Sequence, residues 1–315
     1  MYKKYYGMTR NPFELTPDPY FFFPTPRHSE ALATLAHGIL NRKGFVVVTG
    51  EVGTGKTLLV RCLLDTLSQN RVTFAFIYNP LLSVRDFLAQ VLHDFGLTDT
   101  QGSKSDLLIR LNNFVLVRSW RDATTALIID EAQLLSWELL EEIRLLTNLE
   151  TTQHKLLQIV LVGQPELDDK LDSQELRQLK QRISMRCRLD PLAFDELRGY
   201  IDRRLQLAGA HSSSAHLFPE ETIAAIHAVS RGIPRLINTL CDNALMAGYG
   251  QQLRQIPPEI VYEVATDMRL GVKARFPQRD SDEKKRRHKV VKIPSTMMDE
   301  LGEASPTPRF DPRQE

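Results

Sequence analysis

Gly50-Glu51-Val52-Gly53-Thr54-Gly55-Lys56-Thr57 is the stretch of sequence that decides the fold. A short, mostly β-branched run, Phe45–Thr49, precedes it, and a stretch with helical apolar spacing, Lys56–Leu67, begins within it. In such a strand, loop and helix, the glycines let backbone N–H groups curl around phosphate oxygens, and the start of the helix adds partial positive charge. The sequence therefore predicts a P-loop that holds the phosphates of a nucleotide.

Each residue of the loop is a candidate contact for that nucleotide. The predicted cofactor-binding residues here are Gly50, Glu51, Val52, Gly53, Thr54, Gly55, Lys56, Thr57 and Leu58. Lys56 is also a candidate catalytic residue because its ammonium group can reach the β- and γ-phosphates, and the Thr57 hydroxyl is a candidate ligand for Mg²⁺. The alternative is a glycine-rich turn that binds nothing, and the complete eight-residue pattern in this context argues against it.

Two adjacent carboxylates follow another apolar run. The run Ala126–Ile129 predicts a buried strand, which would deliver Asp130 and Glu131 to the carboxyl-terminal edge of a parallel sheet, where ligands bind. Asp130 is the candidate metal residue, holding Mg²⁺ through its water shell, and Glu131 is the candidate catalytic base for the attacking water. An acidic helix N-cap after a buried strand is the alternative interpretation.

Two polar residues further along the chain carry weaker signals. Gln164 follows the predicted strand Leu157–Val162, so it is a candidate to hold the water or the γ-phosphate beside Asp130; a loop amide that caps a helix is the alternative. Arg235 follows a proline at the start of a helix, where a cation is unfavourable unless an anion compensates it. We therefore predict that Arg235 contacts nucleotide phosphate across a domain cleft, rather than being a solvated surface charge.

Four arginines crowd the stretch before and within the last predicted strand. They are Arg177, Arg182, Arg186 and Arg188. One of them is a candidate arginine finger, which would project into the site of a neighbouring subunit and stabilise the charge of the transition state. We favour Arg182 for this catalytic role and interpret the other three as surface charges.

The chain divides into four predicted regions. Residues 1–27 form a Pro- and aromatic-rich arm that we expect to be extended and to pack on the body. Residues 28–191 alternate strands with helices, which predicts a parallel sheet covered by helices. Residues 192–272 show only helical patterns and predict a small all-helical lid domain. Residues 273–315 are charged, contain prolines and have few apolar residues, which is typical of a disordered tail.

Apolar spacing predicts the individual elements of the two folded domains. The strands are Phe45–Thr49, Thr73–Tyr78, Ala126–Ile129, Leu157–Val162 and Met185–Leu189. The helices of the first domain are His28–Arg42, Lys56–Leu67, Val84–Phe95, Ser105–Arg118 and Ser136–Leu149, and those of the lid are Asp195–Leu207, Glu220–Val229, Ile233–Ala247 and Pro258–Leu270. The strand signals stop after Asp190-Pro191, which places the predicted domain boundary there.

Composition is that of a globular protein and does not indicate a partner. Of the 315 residues, 42% are hydrophobic and 25% are charged, and the net charge is +1, so any electrostatic function depends on local clustering. No apolar run approaches the roughly 20 residues of a membrane span. The three cysteines lie far apart without metal-ligand spacing, and we interpret them as buried thiols in a reducing compartment. We therefore expect a cytoplasmic location, either free or peripheral at the inner membrane.

Together these motifs resemble the AAA+ superfamily and, more narrowly, the ExeA/GspA-type secretion ATPases and related ATPases of exosortase and exopolysaccharide loci. The matching stretches are Tyr5-Tyr6-Gly7, Asn11-Pro12-Phe13, Leu15-Thr16-Pro17-Asp18-Pro19, Phe21-Phe22-Phe23, Gly44-Phe45, the loop at 50–57, Asp130-Glu131-Ala132-Gln133, Arg144-Leu145-Leu146, Asn148-Leu149-Glu150 and Val162-Gly163-Gln164-Pro165-Glu166-Leu167. The resemblance covers residues 1–270. It implies an α/β P-loop AAA+ fold, in which a three-layer core with a parallel sheet is followed by a small all-helical lid.

The resemblance also implies a function. The expected protein binds Mg²⁺ and ATP, hydrolyses ATP, works as a homo-oligomer and assembles or energises a secretion apparatus, with export-machinery proteins as partners. ExeA-type proteins typically continue into a membrane span and a peptidoglycan-binding region, whereas a short charged tail follows here. The alternative is a DNA-associated AAA+ regulator of the TnsC-like transposition type. The basic run Lys284–Lys289 keeps it open, since such a run is either a solvated tail or a weak contact for anionic lipid or DNA.

Overall fold

The computed structural model describes residues 2–210 and 217–270. The predicted tail, residues 273–315, lies outside these residues, and so does its basic run, Lys284–Lys289. The predicted arm, sheet domain and lid lie largely within them.

Within the described residues, five parallel strands form one sheet. Their bounds are β1 Phe45–Gly50, β2 Thr73–Ile77, β3 Thr125–Ile129, β4 Leu157–Gly163 and β5 Met185–Leu189. The strand order is β2-β3-β4-β1-β5, and Val47 of β1 lies opposite Leu161 on one side and Arg186 on the other. Each predicted strand is present within a residue or so of its predicted bounds. Because the strands are parallel and β3, β4 and β1 are neighbours, the loops that follow these three meet at one edge of the sheet.

Helices connect the strands and continue after the last one. They are α1 Tyr2–Tyr5, α2 Pro26–Leu40, α3 Lys56–Ser68, α4 Val84–Asp94, α5 Lys104–Trp120, α6 Trp137–Leu146, α7 Pro165–Leu171, α8 Arg177–Lys180, α9 Phe194–Leu207, α10 Glu220–Ser230, α11 Pro234–Gly250 and α12 Pro258–Asp267. The hydroxyls of Ser83 and Ser103 accept backbone N–H groups of the first turns of α4 and α5, and this capping fixes where both helices begin.

Between β1 and β5, the structure differs from the predicted helices at α6 and in two short additions, α7 and α8. Helix α6 ends at Leu146 instead of Leu149, because the chain turns there and Glu150 pairs with Lys155 in an isolated antiparallel bridge. Helices α7 and α8 were not predicted, since seven and four residues are too few for helical apolar spacing to register.

Alternate side chains of the strands face two separate apolar cores. Val47 and Leu127 pack on one face with residues from α4 to α8, whereas Val46 and Ile128 pack on the other face with residues from α2 and α3. Both faces of the sheet are therefore covered by helices, as the nearly continuous apolar runs of the strands predict. This confirms the predicted three-layer α/β core.

Helices α9 to α12 pack around a core of their own. Ile201, Ile226, Leu240 and Val261, one from each helix, are fully buried there. The four helices agree with the predicted lid helices to within a few residues at their ends, and the helical region after the sheet is confirmed. The division of the chain between residues 191 and 192 stays a prediction.

The N-terminal arm packs on these lid helices and is not extended throughout. Its aromatic residues Tyr2, Tyr6 and Phe13 are buried in the lid core. The expectation of an extended arm is wrong in two places, because residues 2–5 form a helical turn and Pro19–Phe21 forms a 3-10 turn. Asp18 caps this second turn and Pro19 presets its backbone angle, so these residues bend the chain where extension was expected.

The cysteines lie in two kinds of environment. Cys241 is buried in the lid core, whereas Cys62 and Cys187 are half-buried, so the expectation of three buried thiols is wrong for two of them. All three are free thiols. Among the residues that the structure describes, no helix combines the length and the apolar character that crossing a bilayer requires.

Candidate nucleotide-binding site

The loop between β1 and α3 depends on its glycines. Gly53 and Gly55 have φ values of +83° and +99°, a region that favours glycine. A Cβ atom on Gly50 would lie 2.7 Å from the carbonyl oxygen of Leu189. Gly55 is the N-cap of α3 and no side chain caps this helix, so the N–H groups of its first turn are left for another acceptor. An anion is the acceptor that such a helix start favours.

Lys56 is folded into the loop that precedes it. The residue is only 6% exposed, and Nζ donates to the carbonyl oxygens of Gly50 at 2.7 Å and Glu51 at 2.9 Å. Burial lowers the pKa of Lys56, and the nearby carboxylates of Glu131 and Asp130 oppose that shift. Within the described residues no carboxylate forms an ion pair with Lys56, so this buried cation has charge available for an anionic ligand.

Asp130 follows β3 and meets the start of α3. It is 4% exposed, and its backbone N–H donates to the Ile77 carbonyl, which extends the pairing of β3 with β2 by one residue. Oδ2 accepts the hydroxyl of Thr57 at 3.0 Å, and Oδ1 accepts the backbone N–H of Glu131 at 2.9 Å. Burial raises the pKa of Asp130, while these two hydrogen bonds oppose the rise. A hydroxyl and a carboxylate, both oxygen donors of the kind that Mg²⁺ prefers, are thus brought together.

Two amide side chains hold the carboxylate of Glu131. Oε2 of Glu131 accepts Nε2–H groups from Gln133 at 2.6 Å and from Gln164 at 3.2 Å. Gln133 also accepts the backbone N–H of Gln164 at 3.0 Å, so the two amides belong to one network. The structure therefore brings Gln164 beside Glu131, at the edge where β3 and β4 end.

The backbone of Glu131 is in an uncommon conformation. Its φ of +52° lies in the left-handed region, which costs about 1 kcal/mol or more for a residue other than glycine. The hydrogen bonds from Gln133 and Gln164 fix the side chain in this place. Six other non-glycine residues of the described chain share this φ range, so at Glu131 the two amide contacts are what mark the site. Sequence reasoning gave no role to Gln133, although its position two residues after the acidic pair was visible.

Arg235 lies at the start of α11, across the cleft from Lys56. Its backbone N–H donates to the carbonyl oxygen of Gly53 at 3.1 Å, which joins this helix to the loop. The side chain is exposed and lines the same cleft as Lys56, Thr57 and Glu131. The structure thus brings Arg235 to the side of the cleft predicted from the sequence.

The arm and the lid helices α9 and α11 also line the cleft. Residues 14–17, Tyr200, Arg204 and Asn238 lie along it, and sequence reasoning gave none of them a role in the site. Arg204 is 5% exposed, lies 5.2 Å from the centre of the Tyr200 ring, and donates to the carbonyl oxygen of Pro12 at 2.6 Å. The hydrogen bond to Pro12 joins residues 192 positions apart in the chain, so no local pattern in the sequence reveals it.

The structure does not bring Arg182 to this cleft. Ser184 donates to the carbonyl oxygen of Phe45, at the amino end of β1, so Arg182 lies at the edge of the sheet opposite to the P-loop. Among the described residues Arg182 makes no ion pair, whereas Arg186 pairs with Asp168 at 3.2 Å. Arg188 pairs with Asp190 at 3.5 Å, and Arg177 is exposed. Any catalytic contact of Arg182 would therefore be with another molecule.

The cleft combines three features of an AAA+ fold: a P-loop, an acidic pair after β3 and a lid helix. Comparison with known proteins agrees. Residues 39–171 match the family model described as AAA domain. General secretion pathway protein A of Aeromonas hydrophila is 42% identical over 257 residues, which is 81% of this chain and 46% of that protein. The resemblance to the ExeA/GspA-type proteins is therefore confirmed. The chain spans about half the length of this relative.

Solved structures show the same fold at low sequence identity. The ORC2 protein of Aeropyrum pernix is 16% identical, with a TM-score of 0.61 over 85% of this chain and 74% of that one. Cdc6p of Pyrobaculum aerophilum is 19% identical, with a TM-score of 0.60 over 79% and 71%. The RuvB branch migration motor of Thermotoga maritima is 18% identical, with a TM-score of 0.52 over 78% and 70%. These likenesses confirm the AAA+ fold, in which a helical region follows a parallel sheet.

Proposed function

We propose that this protein binds Mg-ATP in the cleft and hydrolyses it to ADP and phosphate. The observation that carries the proposal is the meeting of Thr57 and Asp130 at 3.0 Å, beside the buried Lys56 and the start of α3. A hydroxyl, a carboxylate and a buried ammonium are the groups that a triphosphate and its Mg²⁺ need. The residues present therefore fit both the nucleotide and the metal.

The P-loop residues would hold the phosphates. The glycines and the uncapped start of α3 offer backbone N–H groups, and Lys56 exchanges its bonds to the carbonyl oxygens of Gly50 and Glu51 for phosphate oxygens. Thr57 and Asp130 would hold the metal, Asp130 through water. Bound Mg²⁺ neutralises charge that develops on the phosphate oxygens.

Glu131 is the proposed general base. The amide groups of Gln133 and Gln164 hold its carboxylate next to Asp130, so one oxygen is fixed and the other can take a proton from water. As that water attacks the γ-phosphorus, its proton passes to Glu131 while the bond to the ADP oxygen breaks. Gln164 contributes by orienting Glu131 and the attacking water.

Two arginines would complete the site. Arg235 reaches the phosphates from α11, whose backbone already contacts the loop at Gly53. Arg182, which forms no ion pair within the described residues, is the proposed finger for a neighbouring subunit. Its place at the far edge of the sheet supports action between subunits, and hence a homo-oligomer.

We further propose that ATP turnover assembles or energises a secretion apparatus through contacts with export-machinery proteins. The support is the similarity to General secretion pathway protein A, whose name refers to secretion. We place the protein in the cytoplasm, free or peripheral at the inner membrane, with residues 1–27 as the arm, 28–191 as the nucleotide-binding domain and 192–272 as the lid. The tail, residues 273–315, stays a predicted disordered segment.

The test is steady-state ATP hydrolysis by the purified full chain at fixed low salt, alone, with duplex DNA and with anionic liposomes. Turnover that is unchanged by DNA supports the export-associated function, whether or not liposomes stimulate it. Stimulation by DNA alone would support the TnsC-like alternative instead. A protein that neither binds nor hydrolyses ATP would contradict the proposed activity.

A further inference from the structure

A buried histidine from outside the P-loop contacts the backbone of the loop. His28 lies in the first turn of α2, is 6% exposed, and places Nε2 at 3.2 Å from the carbonyl oxygen of Thr54. Helix α2 is packed against α3 on one face of the sheet, and the ring of Phe22 meets the imidazole edge-on at 6.1 Å. This contact joins the region after the arm directly to the loop.

The hydrogen bonds around His28 fix which ring nitrogen carries the proton. The Oγ1 of Thr25 caps α2 by accepting the backbone N–H of His28 at 3.2 Å, and it lies 2.7 Å from Nδ1. Because a carbonyl oxygen can only accept, the contact with Thr54 requires the proton of a neutral imidazole on Nε2, and the Thr25 hydroxyl then donates its own hydrogen to Nδ1. Burial lowers the pKa of His28, which favours this neutral form. Nε2–H then donates to the Thr54 carbonyl.

The bond to Thr54 controls the neighbouring N–H group, because the peptide unit is planar. In a trans peptide the carbonyl of Thr54 and the N–H of Gly55 point in opposite directions. Holding the carbonyl toward His28 therefore turns the Gly55 N–H away from α2. That N–H has no acceptor within the described residues, and Gly55 lines the cleft with Lys56 and Thr57.

We propose that His28 is a positioning residue that orients the Thr54–Gly55 peptide, so that the Gly55 N–H faces a nucleotide phosphate. Thr25 is its partner, because the hydroxyl selects the tautomer that can donate. This inference rests on the proposed nucleotide-binding function. It adds two residues from α2 and its N-cap to the phosphate site, and neither belongs to the motif at 50–57.

The test compares four variants of the full chain in pairs. His28→Leu removes the donor and His28→Gln keeps an N–H group at a similar reach, while Thr25→Val removes the orienting hydroxyl and Thr25→Ser keeps it. His37→Leu, on an exposed residue of the same helix, is the matched control. Affinities for Mg-ATP and for ADP are measured by calorimetric titration, KM and kcat by steady-state hydrolysis, and Tm without nucleotide.

The proposal predicts that His28→Leu raises KM and weakens both affinities about 5- to 10-fold, the size of one net hydrogen bond. The value of kcat should stay within about twofold, because the phosphates are held in the ground state and the transition state alike. His28→Gln, Thr25→Ser and His37→Leu should remain near the wild type, and Thr25→Val should resemble His28→Leu.

Wild-type affinity in folded His28→Leu would overturn the proposal while leaving the proposed function intact. Equal loss in His28→Gln and His28→Leu, together with a lowered Tm, would reduce His28 to a packing role. If His28→Leu does not fold, the Thr25 pair decides, and equal affinities in Thr25→Val and Thr25→Ser would contradict the inference. Absence of nucleotide binding by the wild type would instead contradict the proposed function itself.

Discussion

Replacing Glu131 by glutamine should separate binding of the nucleotide from its hydrolysis. The carboxylate oxygen Oε2 accepts one hydrogen bond from Gln133 and one from Gln164. A glutamine at position 131 still offers one amide oxygen to these donors, so the side chain keeps an anchor in the same place. What it loses is the ability to take a proton from water at neutral pH.

The expected magnitude follows from that loss. A positioned general base contributes about 10²- to 10⁴-fold to a rate, or about 3–5 kcal/mol of activation free energy. The proposed ligands of the phosphates and the metal are the loop, Lys56 and Thr57, and none of them bonds to Glu131 in the structure. We therefore expect Glu131→Gln to lower kcat by at least about 100-fold and to change the Kd for Mg-ATP by no more than about threefold.

The assay pairs single-turnover hydrolysis with calorimetric titration of Mg-ATP. Glu138→Gln is the matched control, because it makes the same chemical change at an exposed residue in the first turn of α6, away from the cleft. Wild-type turnover by purified Glu131→Gln would remove Glu131 from the catalytic role. Loss of binding in that variant would show instead that Glu131 supports the nucleotide site.

Three further predictions concern the neighbouring subunit, the arm and the metal. Arg182→Ala should lower turnover, and mixing with Lys56→Ala protein should restore part of it; intact oligomers without such rescue would argue against the finger. Phe13 is 1% exposed, so Phe13→Ala should lower the free energy of unfolding by about 3–5 kcal/mol and Tm by about 10 °C. Leu15 is 53% exposed, so Leu15→Ala should change Tm by little. Equal Tm values for these two variants would contradict the packing of the arm. Burial raises the pKa of Asp130 above the usual 3.8, so the part of the ATP affinity that depends on Mg²⁺ should weaken as the pH falls toward that raised pKa. The affinity for ATP without Mg²⁺ should not show this dependence. Titrations of ATP at several pH values, with and without Mg²⁺, check this, and the same pH dependence in both series would contradict it.

The centre of the candidate site was predictable because its residues carry local signals. The glycines before Lys56 are typical of the backbone conformation of a P-loop, and the apolar run before Asp130 indicates a buried strand, which the structure has. Parallel strands then place the loop, the acidic pair and Gln164 at one edge. The short apolar runs of the strands are also local signals, and they predicted all five strands that the structure describes.

Other parts of the site depend on contacts that sequence spacing cannot show. Arg204 is held by the carbonyl of Pro12, and His28 by the carbonyl of Thr54, through packing between separate elements. The path of the arm over the lid is set by buried aromatic residues such as Phe13, whose partner Phe218 lies far away in the chain. A tertiary contact of this kind has no fixed offset along the sequence, so periodicity cannot reveal it.

The most direct test of the account is the thermal stabilisation of the purified protein by Mg-ATP, for the wild type, for Lys56→Ala and for the exposed control Lys43→Ala. At about 100 times the Kd, binding should stabilise the wild type and Lys43→Ala by about 2.7 kcal/mol, and removal of Mg²⁺ should reduce the effect. Lys56→Ala should show no stabilisation, because it removes the buried ammonium that is proposed to bind the phosphates. Equal stabilisation of Lys56→Ala and the wild type, or none in the wild type, would contradict a nucleotide site in this cleft.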